Sequence, residues 1–188
     1  MILREAELSD VPQIVEIYSY YVLNTPYTFE TEVPTIEDYE ERMKSVKKNF
    51  PFFVIENKEK EIISFSYAHY YHVRKAYRWT IETSIYVKNG FQVKGIAKKI
   101  YETLLHALKD QGVVNVYATL GCPNIPSAKF HEKMGFKKIA TLPKVGYKFG
   151  EWHDVEYYQL TLNDPEENPK EIISFSQLDH DKYLKITN

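Results

Sequence analysis

The hydrophobic and polar positions at the start of the chain, Ile2-Leu3-Arg4-Glu5-Ala6, read as a short first strand. Ser9 and Asp10 then offer capping oxygens and Pro12 suits a first helical turn. Val11, Ile14, Val15, Tyr18, Tyr21 and Val22 recur on one face, which predicts an amphipathic helix ending near Asn24. Thr25 to Val33 reads as a loop carrying Pro26, Tyr27 and Phe29, and a more polar helix runs from Pro34 to about Lys48. Phe52–Glu56, Glu61–Tyr71 and Tyr77–Val87 are strand candidates, the first two joined by the turn Asn57-Lys58-Glu59-Lys60, so an antiparallel meander is expected. Ile96, Ile100, Leu104, Leu105 and Leu108 then mark a helix over Lys94–Gln111. A strand at Val113–Leu120, a short helix at Ser127–Met134 closed by Gly135, and strands at Phe136–Tyr147 and Trp152–Leu162 complete the pattern. The polar, broken run Asn163-Asp164-Pro165-Glu166-Glu167-Asn168-Pro169 sets a domain edge, giving a domain over 1–163 and a tail over 164–188. Whether that tail packs on its own domain or on a neighbour's stays open.

The stretch that organises the rest runs from Ile81-Glu82-Thr83-Ser84-Ile85-Tyr86-Val87, through Asn89-Gly90, into Gln92-Val93-Lys94-Gly95-Ile96-Ala97 and the helix beyond. Strand, glycine-bearing loop and helix form a phosphate-binding arrangement, because the first helical turn has unpartnered N–H groups and the positive end of the dipole. Gly95 lacks a Cβ and lets an anion come against the backbone. Neither a Walker loop nor a dinucleotide fingerprint is present, so this feature alone does not identify a ligand.

The 188 residues suit one domain, and 27% charged with 44% hydrophobic residues is an ordinary soluble composition. A formal net charge of −2 argues against nucleic acid as a partner. No apolar run reaches membrane-spanning length, and charges stand where a secretory signal needs an apolar stretch. The lone Cys122 rules out an internal disulfide and fits a reducing compartment, so a cytoplasmic protein is expected. Cys122 reads as a small apolar residue rather than a nucleophile. His69 and His72, three apart on an expected strand, face opposite ways, and no metal-ligand spacing appears.

The order of elements, with Gln92-Val93-Lys94-Gly95-Ile96-Ala97 leading into a helix, resembles the GNAT superfamily of acetyl-CoA-dependent N-acetyltransferases. Within it the chain is most similar to the phosphinothricin acetyltransferase family. The residues carrying that likeness are Ala76 through Val87, Pro123-Asn124-Ile125-Pro126-Ser127, His131-Glu132-Lys133-Met134-Gly135-Phe136, and Gly146 through Val155. It spans about residues 1 to 162. It implies an α/β (α+β) GNAT fold, a mixed, mostly antiparallel sheet of about seven strands flanked by four helices, with strands splayed at the acyl-CoA site.

The resemblance implies a site as well. Val93, Lys94, Gly95, Ile96, Ala97 and Lys98 would hold the CoA pyrophosphate; Ile85, Tyr86 and Val87 would pair with the pantetheine arm, one N–H polarising the thioester; and Asn124 would touch the arm from the other side. Glu82 would be the general base, against the alternative of a solvent-facing sheet glutamate. His131 would be the acid or proton shuttle, against that of a solvent-facing helical histidine. Phe29, His72, Arg74, Tyr77, Tyr101 and Val155 would face the acceptor, with Arg74 as a clamp for an anionic group. His72 departs from the lysine of the herbicide-inactivating members, which weakens an anion clamp.

The function implied is acetyl transfer from acetyl-CoA, without a metal, to the α-amino group of a small amino-acid-like acceptor of the phosphinothricin or methionine sulfone/sulfoximine type. Two rivals are an acetyltransferase for an unrelated amine and a non-catalytic acyl-CoA sensor. Neither nucleic acid nor membrane is expected as a partner; a homodimer is.

Overall fold

The computed structural model describes residues 1–184 apart from Gln92 and Lys94. Seven strands form one mixed sheet: β1 (Ile2–Glu5), β2 (Phe52–Glu56), β3 (Ile62–Tyr70), β4 (Thr80–Val87), β5 (Asn115–Gly121), β6 (Lys137–Lys148) and β7 (Glu151–Thr161), in the spatial order β1-β2-β3-β4-β5-β7-β6. Four helices cover it: α1 (Val11–Asn24), α2 (Ile36–Lys47), α3 (Ile96–Asp110) and α4 (Ile125–Lys133). β4 and β5 are parallel, as a strand–helix–strand crossover through α3 requires, while β3 and β7 pair antiparallel to their neighbours.

The sheet separates two cores. On one face Val11, Ile14, Tyr18 and Val22 of α1 and Tyr39 and Met43 of α2 close over Phe52, Val54 and Phe65. On the other, Ile100, Leu104 and Leu108 of α3 cover Phe53, Ile63, Ile81 and Val116. The alternation of β4 assigns its side chains: Ile81, Thr83 and Ile85 face α3, and Glu82, Ser84 and Tyr86 face the α1–α2 side.

Two elements differ from the sequence expectation. Tyr77 does not begin β4; Lys75–Tyr77 form a 3-10 turn, and the strand starts at Thr80. His72 therefore lies beyond the end of β3, in a loop. The tail packs on its own domain: Phe175 and Tyr183 are buried in the α3-side core, the Trp79 indole N–H donates to the Lys170 carbonyl, and Gln111 donates to that of Ile173.

Candidate active site

The parallel pairing of β4 with β5 runs Thr80–Asn115, Ile81–Val116, Glu82–Tyr117 and then stops, so the strands part from Thr83 and Ala118 onward. The gap opens into a cleft of about 260 Å³ whose walls include Thr83, Ile85, Tyr86, Thr119, Asn124 and His131. Thr80 accepts from Tyr71 N–H and Lys88 N–H donates to Ile63, so even-numbered residues of β4 bond to β3. Strict alternation then turns the amides of Ile85 and Val87 toward the gap, where Val87 N–H donates to the Tyr21 hydroxyl at 3.4 Å and that of Ile85 is left for a ligand. A peptide-like arm could add there as a further strand.

The expected backbone contacts divide accordingly. Ile85 faces the gap. Tyr86 directs its backbone to β3, where its carbonyl accepts from the Ser64 hydroxyl at 2.8 Å, so it offers the cleft its ring and not its amide. The Val87 carbonyl accepts from the Tyr21 hydroxyl, which places Tyr21 in the cleft wall, a contact across 66 positions with no sequence signal.

Gly95 is the N-cap of α3 at φ +93°, a backbone conformation that side chains disfavour. A Cβ there would meet nothing within 4 Å, so the glycine is required by the turn rather than by crowding, and the open space is where an anion could approach the helix N-terminus. Val93 and Lys98 are exposed, Ile96 is buried, and Ala97 lines the cleft. Lys94, expected in this loop, lies outside the described residues, as does Gln92. Asn124 caps α4, its Oδ1 accepting from Ser127 N–H at 3.2 Å, which leaves its amide N–H groups to face the cleft.

Glu82 occupies the last paired step before the strands separate, opposite His69 on β3 and Tyr117 on β5. It stands on the α1–α2 side of the sheet. His131 stands on the other side, buried in the cleft wall rather than facing solvent. Its Nδ1–H donates to the Ser127 carbonyl at 2.9 Å, and its Nε2 then accepts from the Tyr101 hydroxyl at 3.1 Å. Tyr101 in turn meets the Thr83 hydroxyl at 2.7 Å. Burial disfavours the imidazolium and holds the His131 pKa below its ordinary value. Burial likewise raises the Tyr101 phenol far above its usual range.

The six expected acceptor residues are not brought to one place. Tyr101, on α3, is fully buried and bridges Thr83 and His131, on the face away from Glu82. Phe29 packs its ring where a Cβ on Gly146 would stand, 2.1 Å away, so that close approach requires glycine at 146. The same loop is pinned by Lys148, which donates to the Thr25 carbonyl at 2.9 Å and the Thr28 carbonyl at 2.8 Å. Val155 is buried on β7 opposite Gly121. His72 and Tyr77 belong to an aromatic chain with Tyr71 that reaches Tyr117, the partner of Glu82. Arg74 and His72 line a hollow together with Tyr70, Lys75, Arg78 and Glu171 of the tail, apart from the cleft between β4 and β5.

This geometry has known counterparts. The acetyltransferase (GNAT) domain family matches residues 3–156. A phosphinothricin N-acetyltransferase from Streptomyces viridochromogenes is 32% identical over 87% of this chain and 88% of its own length. An L-methionine sulfoximine/L-methionine sulfone acetyltransferase from Salmonella typhimurium is 30% identical over 87% of this chain and 96% of its own. The crystal structure of a GNAT superfamily phosphinothricin acetyltransferase from Sinorhizobium meliloti in complex with acetyl-CoA superposes with a TM-score of 0.83 at 29% identity, covering 89% of this chain and 94% of that one. With a parallel strand pair that opens at its centre, a glycine-capped helix beyond it and relatives of this kind along nearly the whole domain, the chain belongs to the GNAT acetyltransferases, in their phosphinothricin acetyltransferase-like family, and is an acetyl-CoA-dependent N-acetyltransferase.

Proposed function

We propose that this acetyltransferase acetylates the α-amino group of a small amino-acid-like acceptor, with Glu82 as the general base. The observation that carries the reading is the place of Glu82, at the step where β4 and β5 part and on the sheet face opposite the α3–α4 side. Acetyl-CoA supplies the thioester. Ile85 N–H polarises its carbonyl, and the N-terminus of α3 at Gly95 meets the pyrophosphate. Glu82 takes the proton of the attacking ammonium, directly or through water, and the new C–N bond forms as the C–S bond breaks. His131 is neutral near pH 7 because it is buried, and its Nε2 is the proton-accepting end of the Thr83–Tyr101–His131 chain, so its part is to orient the two hydroxyls beside the thioester while the departing thiolate takes its proton from water.

The relatives named for phosphinothricin and for methionine sulfoximine or sulfone support an amino-acid-like acceptor. Residues 1–163 are the catalytic unit in this reading and 164–188 a buttress. Exposed apolar side chains on and beside the edge strand β6, among them Ile139, Val145, Tyr147 and Trp152, support a homodimer, which sedimentation velocity tests directly. We place the enzyme in the cytoplasm, which cell fractionation tests.

The decisive experiment is Glu82→Gln. It preserves shape and removes the base, so turnover should fall about 100-fold or more while acetyl-CoA affinity holds. The loss should shrink at high pH, where the acceptor amine deprotonates itself. Full activity, or a loss independent of pH, would remove Glu82 from the reaction.

A further inference from the structure

Beside Glu82, on the same sheet face, a cavity of about 320 Å³ lies between α2 and strands β2 and β3. Its walls are Tyr39, Arg42, Ser45, Val46, Phe52, Tyr67 and His69. Three features suit it to a ligand. His69 and Tyr67 are the register partners of Glu82 and Ser84, so the cavity begins one strand away from the base. Neighbouring strands are about 4.8 Å apart, roughly the reach of a side chain three or four atoms long from an amine held at Glu82. Second, the Tyr39 hydroxyl is buried without a hydrogen-bond partner, an arrangement that costs stability unless something completes it. Third, Arg42 is the cation of the cavity, and it is already paired with Glu30 of the loop that carries Phe29.

The charges around this cavity decide what it would accept. Arg42 stands in the cavity wall, Glu30 is paired with it, and Glu82 is the register partner of His69 in the same wall, so one positive charge stands against two carboxylates. An anionic side chain would have to displace Glu30 from Arg42 and remain near Glu82. A neutral oxygen would accept from a guanidinium N–H that Glu30 does not use, and from Tyr39 O–H, with no repulsion. The apolar stems of Val46, Phe52 and Tyr67 suit a hydrocarbon shaft.

We infer that this cavity is the side-chain pocket of the acceptor, and that the Arg42–Glu30 pair selects a short apolar side chain ending in a neutral oxygen, such as a sulfone, over one ending in an anion, such as a phosphinate. The inference rests on the proposed acceptor chemistry and deepens it. Arg42 and Tyr39 are the specificity residues, and Glu30 is the counter-charge that excludes anions.

The test is kcat/KM at saturating acetyl-CoA for methionine sulfone, phosphinothricin and methionine, whose common α-carboxylate cancels in the ratios. The wild type should favour methionine sulfone over phosphinothricin. Glu30→Gln removes the competing carboxylate, and a new charge-assisted hydrogen bond at Arg42 should move that ratio toward phosphinothricin by about 10-fold or more. Tyr39→Phe should lower the preference for methionine sulfone over methionine by about 2- to 10-fold, the scale of one neutral hydrogen bond, with the folded state at least as stable, since the hydroxyl it removes has no partner. A purely structural role for these residues would change all three acceptors together. Ratios unmoved in both variants would overturn the pocket while leaving the acetyltransferase reading intact. A wild type that acetylates none of the three would remove the acceptor reading and the pocket with it.

Discussion

Gly95 shows what a single residue contributes to this site. At φ +93° it turns the chain out of the loop and into α3, and the space a Cβ would enter is empty. Gly95→Ala should therefore destabilise the fold by about 1–2 kcal/mol through backbone strain. Because that strain is relieved by reshaping the turn that presents the first N–H groups of α3, acetyl-CoA affinity should fall as well. Calorimetry at a temperature where the variant is folded separates the two, and an unchanged affinity would mean the turn does not carry the pyrophosphate. The glycine turn at Gly95 was legible because a glycine before a helix is read locally, whereas Glu82 as a base was proposed from the resemblance alone, since an acid in a strand by itself reads as solvent-facing. Tyr101 was no more legible. Its place was read from the resemblance as acceptor-facing, yet its hydroxyl ties Thr83 to His131 across separations of 18 and 30 residues, and no local pattern encodes such a contact.

Helix α4 and the strand it follows illustrate the scale of elements. Alternation and turn chemistry identified β4 and β5 as strands, but not the point where their pairing ends, since that depends on register between segments far apart in the chain. Helical spacing placed α4 with the boundary two residues late, because Asn124 caps it and Pro126 falls in its first turn. Which face His131 occupies followed only from packing against Tyr101 and Phe136. That packing has a consequence for pH. The folded pKa of His131 is lowered from 6.5, so between that lower value and 6.5 the unfolded chain binds more protons than the folded one. Stability from this group is thus complete above about pH 6.5 and is lost as pH falls below it. Denaturant titrations at pH 7.5 and 5.5 should show a drop for the wild type that is smaller in His131→Gln. Equal drops would mean that the ring is hydrated and titrates freely.

At the scale of the whole molecule, the tail turns a catalytic domain into a closed body. Near Asn163 the regular strands end and the sequence stopped being informative, because a polar segment with scattered aromatics has no period to read. In the fold Phe175 is buried edge-on to Phe53 at 5.6 Å, stacked with His180 at 4.4 Å and packed near Tyr183. Asp110 at the end of α3 accepts from the Tyr183 hydroxyl at 2.7 Å and pairs with Lys182, so the tail fastens the helix whose other end begins at Gly95. Among the described residues none of the tail lines the cleft between β4 and β5. Phe175→Ala should therefore cost about 3–5 kcal/mol of stability, the range for an aromatic ring lost from a core, with acetyl-CoA affinity unchanged wherever the protein is still folded. A loss below about 1 kcal/mol, which is far short of that range, would mean that the tail is appended to the α3-side core and does not belong to it. Full stability loss together with weakened acetyl-CoA binding would give the tail a second role, transmitted along α3 to Gly95.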